Sequence, residues 1–247
     1  MRIAVQSSPR TVAREAARLI ADAVADHPSL VLALPTGRTP LPFYEELVAL
    51  HAAGTLDFSG VRVFNLDEFA GLGSKHPASY QAFLRRHLFE PTGIRPNQIV
   101  SIRGDAPDPV AEAARYERAI AKAGGIDIAV LGIGDNGHIG FNEPARTLHA
   151  RTHVVALRPA TRRANAWLFD DRFRDVPRHA ISMGVATILG ARAVLLIATG
   201  AAKAAIVSRA LTGPVTTGVP ASLVQTHPDA IVLLDKPAAS KLRARRG

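Results

Sequence analysis

At 247 residues with 47% hydrophobic side chains, the chain can bury a substantial core as one large domain or two small ones, and this excludes a disordered chain. No apolar run nears the ~20 residues of a membrane helix, and with no cysteine there can be no disulfide, thiolate metal site or cysteine nucleophile. A formal charge of +9 raises nucleic acid as a partner, but no aromatic residues alternate with the basic ones to stack bases.

The opening stretch, MRIAVQSSPR, has too short an apolar run for a signal peptide and reads as a first strand, Ile3–Val5. Ser8 and Pro9 then start a helix carrying Val12, Ala16, Ile20 and Ala23 at helical spacing, which Pro28 stops. Leu30–Leu34 is a second strand, ending in Pro35-Thr36-Gly37 before a helix from Leu41 to Leu50. A third strand, Arg62–Leu66, runs directly into Asp67-Glu68. A helix over Ser79–Phe89, a short strand Ile99–Ile102 and a helix capped by Asp108 and reaching Ala123 come next. Then follow the strand Ile126–Leu131, a glycine-rich loop and the strand His153–Leu157. Helices over Thr161–Phe169 and Met183–Leu189, the strand Ala193–Ala198, a helix over Ala201–Leu211 and the strand Ala230–Leu234 close the pattern.

This alternation predicts an α/β fold, a mainly parallel sheet with helices on both faces. With no internal repeat, low-complexity linker or break in composition, residues 1–247 read as a single domain. In such sheets ligands lie outside the carboxyl ends of the strands, and three motifs fall there. Pro35-Thr36-Gly37-Arg38-Thr39-Pro40 offers backbone amides, two hydroxyls and a helix N-terminus that suit a phosphate; the same residues also read as an ordinary Pro/Gly turn. Asn65-Leu66-Asp67-Glu68 places two carboxylates at a strand end, where a general base belongs, though an aspartate there also caps loops.

The third motif carries the most information: Gly132-Ile133-Gly134-Asp135-Asn136-Gly137-His138-Ile139-Gly140-Phe141-Asn142-Glu143-Pro144. It contains G-x-G-x-x-G, so a dinucleotide site is the obvious alternative. That fingerprint should open a helix and be followed by an acid after the next strand. Here the loop runs on to Pro144, and His153–Leu157 leads into Arg158. What the loop does supply is a histidine between glycines, with a carboxylate five residues on that can fix its tautomer. His138 and Glu143 have no third metal ligand at short spacing; His149 or His153 would be guesses. No metal and no cofactor are expected.

Together the three motifs resemble the glucosamine-6-phosphate deaminase (glucosamine/galactosamine-6-phosphate isomerase) family. Pro35-Thr36-Gly37-x-Thr39-Pro40 looks like its phosphate loop, and Asn65-Leu66-Asp67-Glu68 with His76-Pro77-x-Ser79-Tyr80 like its catalytic-base segment. The run from Gly134 to Pro144 looks like its signature loop. Agreement continues through Arg151-Thr152, Thr161-Arg162, Ala164-Asn165, Val176-Pro177, Met183-Gly184, Gly200-x-x-Lys203 and Pro220-Ala221-Ser222.

The resemblance implies a modified Rossmann-like fold that binds no nucleotide, in an enzyme of hydrolase/isomerase type. The reaction implied converts glucosamine 6-phosphate to fructose 6-phosphate and ammonia. In that scheme His138 assists ring opening, oriented by Asn136 and Glu143, and Asp67 moves the C2 proton toward C1. The phosphate is held by Thr36, Gly37, Arg38, Thr39 and Lys203. Two departures stand out. Some family members have aspartate at Asn136, and the family usually places a phosphate-binding arginine at Trp167. Losing a bidentate guanidinium contact costs about 1.5–3 kcal/mol, so Arg38 or Arg163 is expected to supply that charge. Members under allosteric control carry basic and polar residues at Val155 and Ala156, so no such activation is expected.

Three alternatives stay open: a 6-phosphogluconolactonase on a related fold, an enzyme acting on another amino-sugar phosphate, and a sugar-phosphate sensor. The Phe141-Asn142-Glu143-Pro144 run favours the deaminase over the lactonase. A sensor would need a DNA-binding segment, for which the stretches before Ile3 and after Lys241 leave no room. The expected partner is a small sugar phosphate in the cytoplasm, with no nucleic acid and no membrane; a homo-oligomer is compatible with the sequence. The basic excess sits partly at Arg158, Arg162 and Arg163 and partly in a terminal tail of Lys241, Arg243, Arg245 and Arg246; an anionic small substrate needs one or two of these cations, and the rest read as solvated surface.

Overall fold

The computed structural model describes residues 1–242; Arg243, Arg245 and Arg246 of the basic tail lie outside them. Seven parallel strands form the main sheet: β1 (Arg2–Gln6), β2 (Val31–Leu34), β3 (Arg62–Asn65), β5 (Ile99–Val100), β6 (Ile128–Leu131), β9 (Ala193–Ala198) and β10 (Ala230–Asp235). Their spatial order is β1-β10-β9-β6-β2-β3-β5. Helices α1 (Pro9–Asp26) and α2 (Leu41–Ala52) cover one face. On the other lie α5 (Pro109–Lys122), α7 (Val185–Leu189) and α8 (Ala204–Thr212).

The strand residues divide between these layers by parity, as a pleat requires. Val31 and Ala33 face the α5/α8 side while Leu32 and Leu34 face α1 and α2. In β9, Val194, Leu196 and Ala198 oppose Leu195 and Ile197 in the same way. Both faces are buried, which is why these strands read as continuous apolar runs. Ser8 starts α1 as expected: its hydroxyl accepts from the Thr11 amide at 3.2 Å, and Thr11 Oγ1 accepts from the Ser8 amide at 2.9 Å.

Two local features depart from the expected elements. The helix expected over Ser79–Phe89 forms, but irregularly, and continues to Thr92. α3 (Tyr80–Leu84) passes into a widened turn, Arg85–Phe89, and then α4 (Glu90–Thr92), which ends at Gly93 with φ +63°. The widened turn falls just before Pro91, whose missing N–H and bulky ring disfavour a regular turn. The strand expected over His153–Leu157 also lies outside the parallel sheet. As β7 (His153–Ala156) it joins β8 (His179–Ser182) and β4 (Asp67–Phe69) in a separate antiparallel sheet, β8 central.

The chain moves between the sheets at Leu66. The Leu66 amide donates to Leu34 O at 3.1 Å in the large sheet, and Leu66 O accepts from the Met183 amide at 2.8 Å beside the small one. From β2 the chain progresses outward to β3 and β5, and from β6 outward the other way to β9 and β10. The order therefore switches between β2 and β6, where an open α/β sheet leaves a crevice.

Candidate active site

The crevice is a cavity of about 200 Å³ at the carboxyl ends of β2, β3 and β6, sized for one small ligand. Pro35–Pro40 forms one wall, fixed at its base by Tyr44, whose hydroxyl donates to Pro35 O at 2.5 Å. Asp67, Tyr80 and Phe141 form the floor with the glycine loop, while Asn165, Trp167 and Lys203 close the sides. Among the described residues no group of three or more His, Cys, Asp or Glu side chains is placed to hold a metal.

Asp67 is almost wholly buried. Its carboxylate lies against the glycine loop, since a β-carbon added to Gly140 would sit 3.4 Å from Oδ2. Burial first, and the neighbouring Glu68 second, push its pKa up to about 8. Glu68 points the other way and is structural. It accepts from the amides of Phe69, Tyr80 and Gln81 at 2.9, 3.0 and 2.9 Å. Burial nevertheless raises it to about 7, outweighing those three donors. Of the two adjacent carboxylates, only Asp67 lines the cavity.

His138 reaches the same cavity from the other side. Its Nδ1 lies 2.8 Å from Asn136 Oδ1, and Asn136 Nδ2 donates to Glu143 Oε2 at 2.7 Å. The direct partner of the imidazole is thus the asparagine, with the carboxylate one step behind at 3.8 Å. Glu143 accepts only, so it fixes the Asn136 amide with its oxygen toward His138. That oxygen in turn requires the proton on Nδ1 and leaves Nε2 as a free acceptor. Burial lowers the His138 pKa more than Glu143 raises it, favouring the neutral ring. Thr161 donates its hydroxyl to Glu143 Oε1, completing the support. Gly134 makes room for the ring: a β-carbon there would meet it at 2.1–2.3 Å.

Thr36, Gly37, Arg38, Thr39 and Lys203 all line the cavity. The Lys203 amine donates to Ile133 O at 2.7 Å and pairs with Asp135 at 2.6 Å. Arg163 is a correction. It does not line the cavity, because its guanidinium lies over the Phe173 ring at 5.4 Å. On α6 (Pro159–Ala164), one turn from Trp167 in sequence, it projects from an exposed position away from the ligand space.

The sequence names Tyr80, Thr161 and Asn165 only as members of matching segments, and gives neither them nor Asp135 a role in this arrangement. Tyr80 donates to Asn165 Oδ1 at 2.9 Å across 85 positions of chain, and no local pattern announces such a pair. Asp135 lies inside the glycine loop, three residues before His138, where the spacing points to Asn136 instead.

The sequence profile described as glucosamine-6-phosphate isomerases/6-phosphogluconolactonase matches residues 5–233. The chain belongs to this family. It is 45% identical to a glucosamine-6-phosphate deaminase of Halothermothrix orenii over 98% of this chain and all of that one. It is equally identical to a deaminase of Corynebacterium aurimucosum, over 99% of this chain and 95% of that one. The solved structure of a monomeric glucosamine-6-phosphate deaminase superposes with a TM-score of 0.94 at 40% identity, covering 98% of this chain and 100% of the other. The family member here thus shares the parallel α/β architecture expected from its sequence.

Proposed function

We propose that this family member acts in the cytoplasm and converts glucosamine 6-phosphate to fructose 6-phosphate and ammonia. The observation that carries the reading is convergence. A carboxylate from the β3 end and an imidazole from the β6 loop, 71 positions apart in the sequence, border one cavity whose rim holds Thr36, Arg38, Thr39 and Lys203. The anionic end of the sugar binds at that rim, which sets C1 and C2 between Asp67 and His138.

The free Nε2 of His138 takes the C1 hydroxyl proton and passes it to the ring oxygen as the C1–O5 bond breaks, and the Asn136–Glu143 pair holds the imidazole in the tautomer that permits this. The open form has an aldehyde at C1 and an amine on C2, so the C2 proton lies α to a carbonyl. Asp67 removes it, O1 takes up a proton from water to give the enolamine, and Asp67 returns its proton to C1. The enolamine becomes a C2 imine, which water converts to the ketose with loss of ammonia. A positioned carboxylate contributes roughly 10²–10⁴-fold to such a proton transfer. The similarity to named deaminases at 45% identity over nearly the full length supports this substrate over a lactone.

The experiment is a panel of glucosamine, galactosamine and mannosamine 6-phosphates with 6-phosphogluconolactone alongside, followed for ammonia, ketose phosphate and lactone loss. Ammonia and fructose 6-phosphate from the glucosamine ester, abolished by Asp67→Asn, is the expected result. Lactone hydrolysis without ammonia release from any hexosamine ester would sink the assignment.

A further inference from the structure

We infer that Trp167 is a positioning residue, holding Arg38 as the arm that grips a phosphomonoester; the assignment rests on the cavity being a sugar-phosphate site. Arg38 and Trp167 both line the cavity but come from distant parts of the chain, the β2–α2 loop and the segment between β7 and β8. The Arg38 guanidinium lies over the indole, 5.1 Å from the ring centroid, within cation–π range. Trp167 is itself braced: it packs on the α1/α2 core, with the Phe83 ring 6.4 Å away in a T-shaped contact.

The pairing matters because of what the other cation at the site does. Lys203 already spends its charge on Asp135 and one hydrogen bond on Ile133 O. The Arg38 guanidinium, by contrast, makes no hydrogen bond or ion pair among the described residues. Arg38 is therefore the cation at the site with its full charge on offer. An arginine on a loop has costly rotamer freedom, and one face pressed on an indole removes much of it. Stacking uses the flat face and leaves the N–H edge open, which is the edge that matches two phosphate oxygens bidentately. Lysine has neither the flat face nor the fork, so it cannot substitute at this position.

Trp167 is the sole tryptophan of the chain, which makes it a reporter as well. Glucose 6-phosphate, a phosphomonoester with no amine to lose, is titrated into the wild type and Arg38→Ala while indole emission is recorded, with glucose as the neutral control. A saturable change is expected from the ester and not from glucose, with affinity roughly tenfold or more weaker in Arg38→Ala. Calorimetric titration of the same ester into Trp167→Phe and Trp167→Leu separates stacking from packing. Phenylalanine should keep affinity within about threefold and leucine should lose fivefold or more, on the scale of cation–π contacts. Arg38→Ala binding like wild type, or leucine matching phenylalanine, overturns the inference. Neither readout uses turnover, so normal ester binding with no ammonia from any substrate would count against the proposed reaction and leave Arg38 and Trp167 in place.

Discussion

A carboxyl group with a pKa near 8 is protonated over much of the neutral range, and Asp67 can act as a base only after losing that proton. The kcat/KM of the wild type should therefore climb with unit slope below pH 8 and level off above it, read in a pH–rate profile of free enzyme and substrate. The same shift bears on stability. The folded state holds this proton more tightly than the unfolded chain, so the contribution of Asp67 is intact below its ordinary value of 3.8 and is lost as pH rises through about 8. Asp67→Asn should thus melt a few degrees higher than wild type at pH 8 by calorimetry, and at pH 4 the gap should close. Ammonia release by that variant should fall by at least roughly 10²-fold. Asn136→Ala removes the acceptor that sets the His138 tautomer, and kcat should drop about 10- to 10²-fold with the fold intact.

The elements that hold these residues differ in how plainly the sequence announced them. Strands buried on both faces, such as Leu32-Ala33-Leu34 and Leu195-Leu196-Ile197, show themselves as apolar runs because each neighbour meets its own core. The small sheet escaped notice because β4 is only Asp67–Phe69 and β8 is His179–Ser182, too short and too mixed for a period to appear. At the site, Asp67, His138 and the Thr36–Thr39 loop were legible, since glycines and a strand end mark them. That Asn136 and Glu143 orient His138 came with the family resemblance; local sequence could not give their order, with the asparagine on the ring and the carboxylate one step behind. Arg163 misled because spacing along a helix says nothing of the Phe173 ring waiting on the other side. Two substitutions probe this level. Gly134→Ala should displace the His138 ring and abolish ammonia release, while circular dichroism and melting stay close to wild type. Glu68→Ala strips three amides of their shared acceptor and unfastens the start of α3, for a loss of about 2–4 kcal/mol in urea denaturation.

For the molecule as a whole, an excess of nine positive charges attracts anions of any kind, and that attraction fades with salt. Raising ionic strength from about 10 to 300 mM should lower kcat/KM severalfold, more than it lowers kcat. Placement of the cavity follows from chain order alone, because β2 and β6 send their connections in opposite directions and part there.

Leu66 is hydrogen-bonded on one side to the large sheet and on the other to Met183, just after β8, so the base next to it is mounted at a junction where the small sheet sets one face on the main core and the other in a cluster of its own. Should that outer cluster loosen on warming, the carboxylate would drift while the large sheet stays folded. Heat would then silence the protein several degrees before its helices melt, with turnover returning on cooling.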